Sequence, residues 1–444
     1  MITEITIPTL SAAIPFAGVL LSISLLPLLF PKLWHRFENR ILFGWVLLAL
    51  IMLSQLKGIE RAGASVVEVI LHEYVPFIIL LTTLYIISGG LHIRLKAAAS
   101  PLANTVFLLA GALVASIVGT TGAAMLLIRP FIRMNYHRHY QSHNIIFFIF
   151  AVANIGGCLT PLGDPPLFLG YLNGVDFFWT LKHLFMPFLM TIVPLLGIYF
   201  VIDWVLEKRE KVTKKIILQP DSKFLLEGKI NLLLLLGVLA IVIATNIPEG
   251  LPTYCVFGCD VGSNQLMRDI GLVVMALISY MVTPKEVHKH HHFSWAPISE
   301  VSRVFAAIFI TIVPVNLMLQ AGGEGPFASV LAFTESEYSS FIYFWLTGIF
   351  SSFLDNAPTY LIFFKMAGGN ADILMGPMVK ILIAISLGSV FMGAMTYIGN
   401  APNFMVRSIA KQSGIHMPSF LGYMLWSCSI LLPIFLGVSI WLFW

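Results

Sequence analysis

Two carboxylates, Asp164 and Asp355, fall inside apolar sequence where a helix cannot run unbroken. Asp164 lies in Gly157-Cys158-Leu159-Thr160-Pro161-Leu162-Gly163-Asp164-Pro165-Pro166, and Asp355 precedes Asn356-Ala357-Pro358. A charge at the centre of a membrane helix costs roughly 2.5–3.5 kcal/mol on insertion scales, so each implies a function. Helix breaks expose unpaired carbonyls and half-helix ends, which suit coordination of a small ion. A carboxylate there can hold Na⁺ as a hard oxygen ligand or hold a proton, but hardly both at once. Desolvation penalises the bare anion, so the two cations compete for it. A site that is always neutralised before it crosses gives obligatory exchange without a separate gate. The competing reading is that both side chains only cap helix ends, a role compatible with ion binding.

The stretch around Asp164 has a partner far along the chain, Gly393-Ala394-Met395-Thr396-Tyr397-Ile398-Gly399-Asn400-Ala401-Pro402. The shared pattern is G-x-x-T-x-[LI]-G-[DN]-x-P. Gly and Pro at this density stop a helix, so each copy is expected to be a broken crossing. Freed backbone at membrane depth is tolerated only where protein or a wet cavity satisfies it. A matched pair of interrupted apolar segments points to the binding site of a secondary transporter. Thr160 and Thr396 in the breaks, with Thr120 and Thr121 in Gly119-Thr120-Thr121-Gly122, offer hydroxyl and carbonyl oxygens. Asn356, Asn400 and Asn154 offer amide oxygens. Small polar residues also pack membrane helices, so their collection at four breaks is the stronger sign.

The elements that must position these residues are membrane helices. Of 444 residues, 58% are hydrophobic and 11% charged, with a mean hydropathy of +0.89. Soluble domains carry about 25% charged residues, so the chain reads as an all-α polytopic protein with the lipid bilayer as its solvent. The net charge of +4 reflects Lys and Arg clustered in a few loops, a topology signal and no reason to invoke a nucleic-acid partner. The first apolar run has no basic segment before it and no small-residue cleavage site after it, and is expected to be a retained helix.

Crossings are expected near 12–30, 41–54, 66–90, 144–172, 178–206, 229–246, 270–283, 303–322, 379–410 and 419–443. Segments 97–134 and 325–368 are too long for one crossing and break at Gly119-Thr120-Thr121-Gly122 and Asp355-Asn356-Ala357-Pro358. Both read as re-entrant hairpins. Basic residues then fall on one side: Lys32, Arg36, Arg40, Arg129, Arg133, Arg138, the linker from Lys208 to Lys229, Lys285, Lys289 and Arg303. These are expected to be cytoplasmic. The loops at 247–268 and 324–338 carry Glu249, Asp260, Glu324, Glu335 and Glu337 against Arg268, and are expected outside, as are both termini. Treating either hairpin as one crossing would make the downstream basic loops alternate wrongly. The expected plan is a first repeat over 1–206, a cytoplasmic linker over 207–228 and an inverted second repeat over 229–444, each with five crossings and one hairpin.

Further polar residues have plainer expectations. Glu68, His72 and Glu73 in the third crossing are expected at a solvated helix end, with Glu68 and His72 on one face. Lys365 is expected to snorkel to the outer surface, or less simply to act as a counter-charge to the site. His288, His290, His291 and His292 read as a solvated loop, with a pH sensor or chance metal site as the alternative. Cys255 and Cys259 share a loop and are either bridged or free. No G-x-x-x-x-G-K-[ST] loop, H-E-x-x-H or G-x-S-x-G occurs, so ATP hydrolysis and the common hydrolases are not expected and the chain is not read as an enzyme.

At Asn154-Ile155-Gly156-Gly157, Thr160 to Pro166 and Ser352-Phe353-Leu354-Asp355-Asn356-Ala357-Pro358, the chain resembles the ion transporter superfamily. That group includes arsenite permeases, citrate and dicarboxylate carriers and NhaD-type sodium/proton antiporters. Phe293-Ser294-Trp295-Ala296-Pro297-Ile298 with Glu300-Val301 is similar to its citrate-transporter-like, sodium:proton antiporter branch. The resemblance implies a scaffold, often dimerising, and a transport region of hairpins and broken helices that moves like an elevator. It implies an ion site at Asp355, Asn356, Thr160, Asp164, Thr396 and Asn400. Dicarboxylate carriers of the group have Ser-Asn-Thr at both tips, whereas this chain has Gly-Thr-Thr-Gly and Asp-Asn-Ala-Pro. NhaD-type members often carry Asp-Asn in the first half too, where this chain has Gly119-Thr120-Thr121. The expected function is Na⁺/H⁺ antiport in a bacterial inner membrane, with Na⁺ and H⁺ as transported ions and no cofactor. Organic-anion symport and arsenite-type permeation are the alternatives.

Overall fold

Long runs of Leu, Ile, Val and Phe punctuated by Gly and Pro form helices that end where a proline or a left-handed glycine forces them to. The computed structural model describes residues 8–94, 99–210, 225–245, 252–284, 294–321, 324–326, 328 and 338–444. The first half contains α1 (Ile14–Leu29), α2 (Pro31–Lys57) and α3 (Ile59–Val69), the last passing through a π-helical turn (Ile70–Tyr74) into α4 (Val75–Gly89). It continues with α5 (Pro101–Val118), α6 (Thr120–Met134), α7 (Ser142–Ala151), α8 (Pro165–Leu172) and α9 (Trp179–Arg209). The second half contains α10 (Ile230–Ala244), α11 (Ser263–Val282), α12 (Ala296–Thr311), α13 (Val313–Gln320), α14 (Ser339–Phe353) and α15 (Asn356–Met366). It ends with α16 (Ala371–Met375), α17 (Val379–Met392), α18 (Ala401–Gln412) and α19 (Phe420–Phe443).

Among the described residues, eight helices are long and apolar enough to cross a membrane, or nine counting α12 and α13, which meet at a 41° bend. Side chains such as Leu47, Val193, Leu233 and Leu425 face outward, where only lipid tails can solvate them. The protein is an all-α polytopic membrane protein. Its most deeply buried elements are α7 and α17, each running into a short 3₁₀ turn and a break.

Several boundaries differ from the sequence expectation. Lys32, Arg36 and Arg40 lie within α2, because Pro31 opens a helix at its first turn rather than prolonging a loop. The third crossing starts at Ile59, and α9 runs on to Arg209, so the linker begins later than 207. The loop expected at 247–268 contains a β-hairpin pairing Thr253–Val256 with Cys259–Gly262, and α11 has already begun by Ser263. Cys255 and Cys259 are free. Arg268 is buried against Asp269 at 3.0 Å. Lys285, Lys289, the four histidines of 288–292, Glu249, Glu335, Glu337 and most of the linker lie outside the described residues.

A second small sheet pairs His92–Arg94, just after α4, with Leu225–Glu227, just before α10. Beside it the Asn231 amide donates to Gly90 O (2.9 Å) and Thr283 Oγ1 (3.0 Å), and Ser279 Oγ donates to Asn231 Oδ1 (2.6 Å). The ends of α4 and α11 and the start of α10 are therefore clipped together.

The first half also holds a buried polar cluster that sequence reading missed. Asp203 of α9 accepts from Arg138 Nη2 (2.8 Å) and Asn104 Nδ2 (2.9 Å) and lies 3.0 Å from His143 Nε2. Arg138 also donates to Glu210 (2.8 Å). Asp203 sits among Val201, Ile202, Trp204 and Val205, and apart from the Tyr199 hydroxyl one turn earlier (3.5 Å) its partners are 60 to 99 residues away.

Candidate functional site

The tips of the two hairpins and the two broken helices converge at one place. Gly119, between α5 and α6, has φ +82°, a conformation that favours glycine, and lets the chain turn there. It delivers Thr120 to the first residue of α6, whose hydroxyl donates to Asp164 Oδ1 at 2.8 Å. From the other half, Asn356 at the start of α15 donates its amide to Asp164 Oδ2. Asp164 is 1% exposed and makes no side-chain cap to its own helix α8, although it occupies the N-cap position. Its carboxylate is therefore committed to the two hairpin tips, and the capping-only reading does not hold for it. Asp355 does cap: its Oδ1 accepts from Ala357 N at 3.1 Å.

The backbone that holds Asp164 leaves no spare room. A Cβ on Gly157 would lie 2.7 Å from the Thr120 methyl and 2.9 Å from Asp164 Cβ, and one on Gly163 would strike the Gly157 carbonyl. These glycines allow the 3₁₀ turn (Ile155–Leu159) and the extended residues after it to fold back on themselves. Pro165 then starts α8 directly beside the carboxylate.

Thr160 and Thr396 take a bracing position. The Thr160 hydroxyl donates to Ser116 O, and that of Thr396 to Ser352 O at 2.5 Å. Each hydroxyl also accepts from the backbone two residues on, Leu162 N and Ile398 N, both at 3.2 Å. Ser116 Oγ donates to Gly156 O (2.5 Å) and Ser352 Oγ to Met392 O (3.2 Å). These matching bonds join residues at one constant spacing of 236: 116 and 352, 156 and 392, 160 and 396, 162 and 398. The same spacing relates Gly119 to Asp355, Thr120 to Asn356 and Asp164 to Asn400. The two copies seen in sequence thus share their hydrogen bonds as well as their glycines.

Asn154 and Asn400 join the two breaks. Asn400 Nδ2 donates to Asn154 Oδ1 (3.2 Å) and Ala153 O (3.3 Å), while Asn154 Nδ2 donates to Asn403 Oδ1 (2.7 Å). Asn403 in turn donates to Gly393 O and Thr396 O, closing the second break on itself. Asn403 was absent from the sequence reading; its signal was only its place three residues after the repeat motif's Asn400.

A cavity of ≈ 70 Å³ opens beside this junction. Thr120, Thr121, Asp164, Asp355 and Asn400 supply its polar lining. Phe77, Leu80 and Leu84 of α4 and Phe305 of α12 form an apolar wall. Thr160, Thr396, Asn154 and Asn356 are not among its lining residues, though the Asn356 amide reaches Asp164. Among the described residues no Lys, Arg or His lines the cavity. Asn356 Oδ1 is buried with no hydrogen-bond partner, an acceptor left over beside two carboxylates. Unsatisfied buried acceptors call for a donor or a cation.

The family model described as "Putative citrate transport" matches residues 5–444. The chain belongs to that family. The match covers almost the whole sequence. It bears out the resemblance to the citrate-transporter-like part of the ion transporter superfamily, and this citrate-transport family member is accordingly a multi-pass membrane transporter. No curated protein matches it. Lys365 is paired with Glu73 at 2.7 Å, and Glu73 is buried rather than solvated.

Proposed function

We propose that the chain is a Na⁺/H⁺ antiporter whose central site alternates between Na⁺ and a proton. The observation that carries this reading is a small cavity lined, among the described residues, by two carboxylates and no Lys, Arg or His. Asp164, held by one donor from each hairpin, is the cation ligand, with Asp355, the free Asn356 Oδ1 and the oxygens of Thr120 and Thr121 beside it. A bare pair of carboxylates, Asp164 buried and Asp355 half-buried, is costly, so the site crosses the membrane only when neutralised, which couples the two fluxes. The two halves are inverted repeats, and the hairpins with the broken helices move against α4 and α12 in an elevator-type exchange. Inward proton movement, worth about 2.3 kcal/mol per charge per 100 mV, drives Na⁺ out.

Proteoliposomes with an imposed pH gradient test this. Na⁺ or Li⁺ is expected to dissipate the gradient, and Asp355→Asn to abolish the response.

A second reading, cation-coupled citrate uptake, is favoured by the family's description. A citrate anion would meet Asp164 and Asp355 with no compensating side chain in the lining, so it needs bound cations as a bridge. Labelled citrate entering vesicles where Na⁺ alone moves no protons would establish that reading over antiport.

A further inference from the structure

A second, polar cavity of ≈ 210 Å³ lies where α2, α3, the π-helical turn, α13 and α15 meet. Lys57, Glu68, His72, Glu73, Asn316 and Lys365 face it. Several of these side chains have partners. Lys57 Nζ donates to Ser65 Oγ (3.3 Å), His72 Nδ1 meets Gln265 Oε1 (3.1 Å) and Lys365 Nζ donates to Glu73 Oε1 (2.7 Å). Two buried atoms are left without partners, Glu73 Oε2 and Asn316 Oδ1, on residues only 9% and 7% exposed.

Both leftover atoms are acceptors, which selects the occupant. An anion would add a third set of lone pairs, and an apolar group would leave both atoms unsatisfied. A donor or a cation satisfies both. Among the described residues no group of three His, Cys, Asp or Glu is arranged to hold a metal ion, so a divalent cation lacks its ligands. We propose that this cavity is a second monovalent-cation site, in which Glu73 and Asn316 hold Na⁺ in exchange with the Lys365 ammonium.

Lys365 is thus a tethered cation occupying the site in the present conformation. It stands on α15, the helix that begins with Asn356 and its bond to Asp164. Glu73 stands on the π turn that runs into α4, which supplies the wall of the central cavity. The ion pair therefore ties the two sides of that cavity together, and α15 cannot slide along α4 without separating it. Once separated, buried Glu73 needs another positive charge, and a cation from solution replaces the lysine. An inserted residue in a helix, as in this π turn, is a frequent device for re-aiming a side chain at a functional position.

The test uses the full chain in detergent with the central carboxylates removed, Asp164→Asn/Asp355→Asn, and measures ²²Na⁺ binding at equilibrium. Adding Lys365→Met is expected to tighten the remaining Na⁺ binding by about tenfold or more, since the tethered competitor is gone. Adding Glu73→Gln is expected to abolish that binding, and Asn316→Leu to weaken it. Lys365→Gln serves as a second variant, and size-exclusion profiles confirm that each protein is folded. The proposal is overturned if neither lysine variant tightens Na⁺ binding, or if Glu73→Gln leaves it unchanged. Because the central carboxylates are absent from every arm, failure here is distinct from failure of the antiport reading.

Discussion

The two halves of the transporter keep the same braces and place their acids differently. In each, a Thr hydroxyl in the break donates to the Ser carbonyl near the preceding hairpin tip, at the same spacing along the chain. The first half puts its carboxylate in the break, at Asp164, and glycine and threonine at its tip. The second puts its carboxylate at the tip, at Asp355, and Asn400 in the break. One charge per half is kept, yet the two occupy non-equivalent positions. A duplicated scaffold thus encloses an asymmetric pocket, because only Asp164 receives donors from both hairpins. The halves differ again at their margins: Asp203 anchors a buried ionic cluster, while its counterpart 236 residues later, Ser439, donates only to Leu436 O in its own helix.

This asymmetry can be broken in three graded ways. The largest effect is expected from Asp203→Ala, which takes one shared buried acceptor from Arg138, Asn104 and His143 at once and should cost about 3–5 kcal/mol of stability. Ser439→Ala should change stability by less than about 0.5 kcal/mol, and thermal melts in detergent compare the two. Next, the exchange Asp164→Asn/Asn400→Asp moves the carboxylate to the second half without altering composition. There it would face Ala153 O and Asn154 Oδ1, both acceptors. Transport should fall by roughly 10–100-fold, the value of a charged hydrogen bond lost, as read from initial rates in proteoliposomes. The smallest effect is expected from Thr160→Val and Thr396→Val. Each should lower stability by about 1 kcal/mol, and by similar amounts, because their bonds match. A large difference between the two would show that the braces are not equivalent.

Much of this plan was legible in the primary structure because membrane helices announce themselves by length and apolarity, and breaks by Gly and Pro. The stretch from Gly157 to Pro166 fixed a turn that only glycines can make, and the copy at 393–402 makes it again. Asp164 was identified as a site residue because a charge in such a turn is costly unless it binds something. The same logic does not reveal that the Thr160 and Thr396 hydroxyls donate to the carbonyls of Ser116 and Ser352. Whether a hydroxyl points into a pocket or onto a neighbouring carbonyl depends on packing between distant elements. The pairing of Lys365 was hidden for a similar reason: its partner Glu73 lies 292 residues earlier, on a turn whose π geometry no composition rule reveals. Asp203 and Asn403 were overlooked because their partners are assembled only by the fold.

The short sheet at residues 92–94 and 225–227, with the amide of Asn231 beside it, has a mechanical consequence. It rivets a helix end from the N-terminal portion to helices from the C-terminal portion, so the ends of α4, α10 and α11 must travel or stay put as one unit. The seam between the two halves of the chain is therefore stitched rather than hinged at this corner of the molecule.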